Sequence, residues 1–149
     1  FTAAFAVSED VRSTTLNLMI EVFDTDTTLR FVGETNDVAP QISVGWLPPG
    51  YTLESHGSSV ASTWYQYTNS EDEFIYVDCS LAKGATVSVD TEDAEVEYIE
   101  INGYQAMLIR KNSELQLVWP AKGSSIVVDV TASNLEEEVF LHIASELIY

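Results

Sequence analysis

Apolar and polar residues alternate along most of the chain after residue 51. Seven stretches that are rich in β-branched and aromatic residues each end at turn residues. Such alternation between closely spaced turns is typical of half-buried strands in an antiparallel meander. The pattern therefore predicts a sheet over residues 51–131, with strands in YTLES, VASTWYQYT, EFIYVDCSL, EVEYIEI, YQAMLIRK, ELQLVWP and SIVVDVT.

The chain before residue 51 has a different pattern. Apolar residues recur there at helical spacing, at Leu16, Met19, Ile20 and Phe23. This spacing predicts a helix over residues 9–24, and TTLRFV (27–32) predicts a strand. Residues 33–50 hold three of the four prolines, so they are predicted to form a connector with a short strand around 42–46.

A second helix is predicted at the end of the chain, over residues 134–147. Ser133 and Glu136 have the spacing of a capping box, and apolar residues recur every four positions from Leu135 to Leu147. Two helices on either side of a run of strands predict a single α+β domain over residues 1–149. Its core would be a curved antiparallel sheet of about six to eight strands, packed by an N-terminal and a C-terminal helix.

The turn at Asn102-Gly103 predicts how the strands pair. Asn-Gly between two alternating segments is the strongest short hairpin signal, and here it places Tyr98 opposite Met107. Two-residue turns at 112–113 and 122–123 extend the same register across four strands. The pairs that follow from these turns are Glu95 with Arg110, Ile101 with Tyr104, Lys111 with Glu114, Met107 with Val118, Trp119 with Ile126 and Val118 with Val127.

This register divides the side chains of the sheet between two faces. The nearly all-apolar face, predicted to lie under the helices, carries Ile99, Ile101, Tyr104, Ala106, Leu108, Leu115, Leu117, Trp119, Ile126, Val128 and Val130. The other face is mixed, with an apolar row of Tyr98, Met107, Val118 and Val127 flanked by Glu100, Gln105, Gln116 and Asp129. So much apolar surface is seldom left exposed, so either the chain covers this row or the row forms a groove for a ligand or partner.

A cluster of aromatic residues is a second candidate binding surface. A turn at residues 69–72 would place Tyr65 and Tyr67 opposite Tyr76 and Phe74. Clustered aromatic rings can stack on sugars or hold a peptide, and they also commonly pack across strands in a core. Both interpretations stay open at this point.

The most acidic segment has six carboxylates among residues 90–100. Counted from Asp90 as an EF-hand calcium loop, position six is Glu95 instead of glycine and position twelve is Ile101 instead of glutamate. The segment is therefore predicted to be a solvated edge that discourages pairing between sheets. A weak cation site at Asp90, Glu92 and Asp93 is the alternative.

Catalytic and metal-binding motifs are not evident in the sequence. His56 and His142 are the only histidines, and neither lies in a motif that pairs a base with a nucleophile. Glu138, His142 and Glu146 follow one another at intervals of four, which could hold a transition metal, but a solvated helix face explains them more simply. We therefore expect no enzymatic activity, no catalytic residues and no cofactor.

Charge and hydropathy limit the partners. The formal net charge of −18 repels nucleic acid and anionic lipid, so nucleic acid is not an expected partner. Cys79 is the only cysteine, which excludes an internal disulfide. The chain starts with FTAAFAVSEDVR and without Met, as expected if a signal sequence or membrane helix preceded residue 1; a hydrophobic first strand or helix lead-in is the alternative.

Four segments together resemble a known family: VGWLPPGYTLES, YQYTNSEDEFIYV, VDTEDAEVEYIEINGYQAMLIRKNSELQLVWP and LEEEVFLHIASELIY. They resemble DUF4367, a bacterial domain of unknown function typical of Firmicutes membrane proteins. The resemblance implies an extracytoplasmic domain tethered to the membrane upstream of residue 1, in an anti-sigma-factor-like protein.

The expected function is accordingly a non-catalytic sensory or interaction domain of a membrane-anchored regulator, with an unknown protein or cell-envelope ligand as its partner. The alternative is a cell-surface module that binds carbohydrate or peptide through its aromatic cluster, aided by calcium at residues 90–95.

Overall fold

A computed structural model describes residues 18–22, 26–31, 40–82, 86–90, 92–123 and 125–149, with the backbone alone for 18–22, 26–31 and 86–90. Twelve strands and one helix lie within these ranges. They are β1 (Leu18–Val22), β2 (Asp26–Phe31), β3 (Ser43–Val44), β4 (Thr52–Ser58), β5 (Ser62–Thr68), β6 (Phe74–Leu81), β7 (Thr86–Asp90), β8 (Glu95–Ile101), β9 (Tyr104–Lys111), β10 (Glu114–Ala121), β11 (Ile126–Ser133), α1 (Glu137–Ser145) and β12 (Leu147–Ile148).

The predicted α+β class with two helices is wrong, because the described chain is mostly β with one short helix. Strand β1 lies where the N-terminal helix 9–24 was expected, and the rest of that segment is outside the described residues. In LMIEV, apolar residues stand at alternate positions, as in a strand, and also four positions apart, as in a helix. Periodicity alone therefore cannot distinguish a strand from a helix here. Pairing of β1 with β2 decides in favour of the strand.

The largest sheet has seven antiparallel strands in the order β4-β5-β6-β11-β10-β9-β8. Two groups of consecutive strands meet where β6 pairs with β11, so these two strands are central. Between the groups the chain passes through β7, which belongs to a three-stranded sheet with β1 and β2. The predicted antiparallel sheet is confirmed, whereas β7 was missed although TVSVD alternates apolar and polar residues.

Short turns produce the predicted register of β8, β9 and β10. Asn102 and Gly103 have φ angles of 52° and 81°, as a type I′ turn requires. Tyr98 therefore lies opposite Met107, and Met107 opposite Val118, as predicted. The β10–β11 turn is longer than two residues, however, so Trp119 pairs with Val128 and not with Ile126. Because the shift is two residues, every side chain stays on its predicted face.

The predicted apolar face forms the main core. Trp119, Leu108 and Val130 are completely buried on it, and every member of the predicted set belongs to this cluster or packs against it. Phe140 and Ile143 of α1 cover this face together with Ile42 and Leu147. We call it the helix-covered face, and the opposite side of the seven-stranded sheet the second face.

Helix α1 is shorter than the predicted range 134–147. Ser133 belongs to β11, and its hydroxyl accepts a hydrogen bond from the backbone N–H of Phe74 at 3.0 Å, so it does not cap the helix. Glu136 occupies the N-cap without a side-chain capping bond. Glu137 in the first turn pairs with Arg110 of β9, which ties the start of α1 to the sheet.

The end of the chain is held by a small two-stranded sheet. β12 pairs with β3, and the backbone N–H of Gly45 donates to the carbonyl of Glu146 at 3.2 Å. A Cβ atom at residue 45 would lie 2.5 Å from that carbonyl oxygen, so only glycine allows this approach. The connector therefore lies against the end of the chain on the helix-covered face.

Candidate functional site

Two carboxylates face each other in the middle of the seven-stranded sheet. Asp78 of β6 lies directly opposite Asp129 of β11, and their alternation with core residues places both on the second face. We call them the Asp pair. Directly opposed like charges destabilise a sheet, so this arrangement calls for an explanation.

The surroundings of the Asp pair favour the protonated form. Burial raises the pKa of Asp129 to about 6, and the nearby charge of Asp78 acts in the same direction. The side-chain amide of Gln116 opposes this shift by donating to both Asp129 oxygens, at 3.1 and 3.3 Å. Burial also raises the pKa of Asp78, while a hydrogen bond from the Ser80 hydroxyl at 3.1 Å lowers it.

Two aromatic residues share the second face with these carboxylates. Trp64 of β5 is directly opposite Asp78, and its ring is stacked on that of Tyr76, with centroids 6.0 Å apart and an interplanar angle of 29°. We call Trp64 and Tyr76 the aromatic pair. The indole lies against the backbone of Gly57, where a Cβ atom would be only 2.6 Å from Nε1. The missing side chain at Gly57 therefore lets the indole lie over the neighbouring strand.

A cleft of about 190 Å³ lies near the Asp pair on the same face. It is lined by Ile109, Lys111, Asn112, Glu114, Leu115, Gln116 and Thr131. Gln116 links the cleft to Asp129 through its hydrogen bonds, and Thr131 lies opposite Tyr76. The cleft, the Asp pair and the aromatic pair are therefore contiguous, and they form the candidate site.

The predicted aromatic cluster is divided between the two faces. Gln66 lies opposite Tyr76 and Tyr67 opposite Ile75, one residue away from the predicted pairing. The cause is the side chain of Asn69, whose oxygen accepts from the N–H groups of Glu71 and Glu73, both at 3.0 Å, and thereby lengthens the turn. A slip of one residue moves every side chain of a strand to the other face.

Tyr65 and Tyr67 consequently pack against the helix-covered core. Their rings are stacked on each other, 6.4 Å apart, and the Tyr65 hydroxyl donates to the carbonyl of Ile42 at 3.1 Å. Phe74 and Tyr76 belong to the second face. The structure thus brings the four residues together only in pairs.

The apolar row of the second face lies next to the candidate site. Tyr98, Met107 and Val118 are cross-strand neighbours as predicted, and Val118 then pairs with Asp129 and not with Val127. Met107, Val118 and Val127 are only 1–3% exposed and form a second buried cluster with Ile109 and Ala82. Burial also raises the pKa of Tyr98. The low exposure of these side chains favours coverage of the row by the chain itself. Binding of a ligand or partner at these residues stays a prediction.

The acidic segment does not converge on one point. Glu95 and Glu97 accept hydrogen bonds from Arg110 at 3.0 and 2.6 Å, so the predicted pairing of Glu95 with Arg110 is confirmed. Glu92 and Asp93 lie exposed in the turn that precedes β8, whereas the side chain of Asp90 is outside the described residues. Among the described side chains, no three of His, Cys, Asp or Glu are grouped so that they could hold a metal ion.

The two histidines and the cysteine lie apart from the candidate site. His56 lies in β4, with its ring centroid 6.3 Å from that of Tyr65. His142 is exposed on α1 and touches the ring of Trp46 edge-on at 4.2 Å. Burial raises the pKa of Cys79 to about 12, so its thiol is protonated and unreactive at neutral pH.

Sequence reasoning placed Gln116 and Asp129 on the second face but missed Asp78 and Trp64 as site residues. A usable signal was present, since Asp78 and Asp129 each interrupt an apolar strand, in FIYVDCSL and IVVDVTAS. A carboxylate inside such a strand is costly unless it has a use. The position of Trp64 could not be found, because it depends on the turn formed around Asn69.

Residues 41–147 match the family model described as domain of unknown function DUF4367. No curated protein and no solved structure matches the chain. In the described part of the chain, no helix has the length and apolar character needed to cross a membrane. Because the family model covers well over half of its residues, the chain belongs to the DUF4367 family.

Proposed function

We propose that this protein is a non-catalytic sensory or interaction domain of a membrane-anchored bacterial regulator, located outside the cytoplasm. The observation that carries the proposal is the candidate site on the second face. It combines carboxylate, amide and aromatic side chains on central strands of a seven-stranded sheet. Side chains held on strands keep a fixed geometry, which favours recognition of a ligand.

The extracytoplasmic location and the anti-sigma-factor-like context rest on the resemblance to proteins of Firmicutes membranes. A strongly acidic domain agrees with a role that involves neither nucleic acid nor an anionic membrane surface, since both would repel a net charge of −18. The partner on this proposal is a protein or a cell-envelope ligand.

Topology and regulation can be tested in the source cells with the complete gene product. Protease added to intact cells should digest the domain, while a cytoplasmic control protein survives. Deletion of the domain should change transcription of the genes that the regulator controls. Protection from external protease, or an unchanged transcriptome in the deletion strain, would contradict the proposal.

The absence of catalysis needs a separate test, because paired carboxylates also serve in glycoside hydrolysis. We expect no turnover on a panel of esters, peptides and glycosides. Turnover that is abolished by Asp129→Asn, His56→Ala or His142→Ala would identify an enzyme instead.

A second function is favoured by one observation, the stacked pair of Trp64 and Tyr76. Half-buried aromatic rings on the same face as carboxylates suit a cell-surface module that binds carbohydrate or peptide, with calcium at residues 90–95 as an aid. A glycan array and calorimetry with calcium distinguish this function from the first. Binding of a glycan that Trp64→Ala abolishes would favour the carbohydrate module.

A further inference from the structure

We propose that the chain between β6 and β8 is a removable cover over the apolar row of the second face. We call residues 82–94 the crossover; the structure describes Ala82, β7 and residues 92–94 of it. The inference rests on the proposed sensory role. It names the element through which a signal that arrives at β1 and β2 would reach the second face.

The first argument is the path of the crossover. Leu81 at the end of β6 pairs with Ile126, at one end of the seven-stranded sheet. Glu95 at the start of β8 lies at the opposite end, in the cross-strand row that leads to Ile75 of β6. Strands β11, β10 and β9 lie between β6 and β8. The diagonal from Leu81 to Glu95 is therefore about 28 Å long, which thirteen residues can span only by passing over one face of the sheet.

The second argument identifies that face. Ala82 is 1% exposed within the apolar cluster of the second face, and Ala94 packs against the same cluster. The cluster follows the diagonal of the crossover, from Val127 near the end of β6 to Val96 near the start of β8. The opposite face is already covered by α1. The crossover therefore lies over the apolar row and accounts for its low exposure.

The third argument is the way in which the crossover is held. Among the described strands, β7 pairs only with β2, and β1, β2 and β7 form a sheet separate from the seven-stranded one. Side-chain packing, without a backbone ladder, therefore holds β7 over the row. Its two ends are fixed, because the N–H of Ala82 donates to the carbonyl of Ser125 at 2.9 Å and Glu95 accepts from Arg110 at 3.0 Å. Strand β7 can thus move away while both ends stay in place.

The fourth argument is the separation of the two cores. Trp119 and Phe140 belong to the core of the helix-covered face, and the sheet itself lies between that core and the cluster under the crossover. A region with few buried apolar contacts opens at a lower free energy than the main core does. Removal of the crossover would therefore uncover Val118, next to Asp129 of the candidate site, and leave the main core intact.

The experiment compares two reporters in the full chain. Met107 is 2% exposed under the crossover, so its oxidation by hydrogen peroxide requires uncovering of the row. Cys79 is 0% exposed in the main core, so its alkylation by iodoacetamide requires opening of that core. The rate in urea-unfolded protein divided by the rate in native protein gives a protection factor, measured by mass spectrometry of the peptides. We expect the protection factor of Met107 to be at least tenfold smaller than that of Cys79.

A proline in β2 tests whether the three-stranded sheet holds the crossover in place. Thr28 lies opposite Ser88 of β7, and β2 is the middle strand, so its N–H groups face a partner strand on either side. Thr28→Pro removes one of these N–H groups and leaves the seven-stranded sheet unchanged. It should lower the protection factor of Met107 at least tenfold further and leave that of Cys79 unchanged. Thr28→Val keeps the N–H and the β-branched shape, and should change neither factor.

Equal protection factors of Met107 and Cys79 in the parent would overturn the proposal, because the second face would then open only together with the main core. A Thr28→Pro variant that leaves Met107 unchanged, or that lowers both factors alike, would overturn it as well. These measurements use purified protein and do not depend on the topology and transcription readouts, so the proposed function is judged separately.

Discussion

The carboxylate of Asp129 lies in the middle of the sheet, and the carboxylate of Asp78 lies directly opposite it. Its pKa is raised from 3.8 to about 6, first by burial and then by Asp78. A folded-state pKa above the unfolded value means that the folded protein binds the proton more tightly. The contribution of Asp129 to the free energy of unfolding is therefore fully present below about pH 4, and it is lost as the pH rises through about 6.

Asp129→Asn should remove this loss of stability while keeping an oxygen that accepts from Gln116. We expect the variant to be more stable than the parent by about 1–3 kcal/mol at pH 7.5, with the difference disappearing near pH 4. Urea unfolding at both pH values measures the change in the free energy of unfolding. Asp72→Asn serves as the exposed control, and equal stabilisation by both variants would contradict this account.

Met107 tests whether the apolar row of the second face is covered. Its side chain is 2% exposed in a cluster with Val118 and Val127. Met107→Ala should lower the free energy of unfolding by about 2–5 kcal/mol, because it leaves a cavity. Val60→Ala is the control, since Val60 is 80% exposed. A loss of about 1 kcal/mol or less for Met107→Ala would restore the open-groove interpretation of the row.

At the scale of elements, turn length decides how far the sequence pattern can be extended. The turn Asn102-Gly103 has a strong signature, so strand pairing around it was predicted correctly. The turn around Asn69 is longer because its side chain bonds to the backbone, and the aromatic cluster was consequently assigned to one face instead of two. A strand pattern alone contains no signal for such a bond.

The pairing of β3 with β12 depends on Gly45. Gly45→Ala should lower the free energy of unfolding by about 1–3 kcal/mol, since its Cβ would meet the carbonyl oxygen of Glu146 at 2.5 Å. Thermal unfolding followed by tryptophan fluorescence measures the loss, because Trp119 donates a hydrogen bond to Tyr149 next to β12. Ser43→Ala, at an exposed position of β3, is the control and should have little effect. Equal melting temperatures of Gly45→Ala and the parent would show that the strand pair can shift without cost.

At the scale of the whole molecule, net charge is the dominant electrostatic feature. Neutralising Asp90, Glu92 and Asp93 together with Asn, Gln and Asn changes the formal charge from −18 to −15, as three negative charges are removed. We expect an intact fold and an equal or higher melting temperature at low salt, because self-repulsion is reduced. The difference should vanish at about 0.5 M salt, where charges are screened over a few ångströms.

Calcium provides the control for that variant. If the three carboxylates form a metal site, the variant loses melting temperature relative to the parent only when calcium is present. If they form a solvated edge, the two proteins respond alike to calcium. A loss of melting temperature in both buffers would instead reveal a structural role.

The sequence by itself determined the strands of the seven-stranded sheet, their antiparallel pairing around the shortest turns and the membership of the apolar face. These features depend on local alternation and on turn residues with a strong conformational preference, so neighbouring residues suffice to predict them. Tertiary structure alone decided that residues 18–22 form a strand and that β6 lies beside β11. It also decided that Asp78 meets Asp129 next to Trp64. The physical reason is distance along the chain: the two carboxylates are separated by 50 residues, and only the completed sheet brings them together.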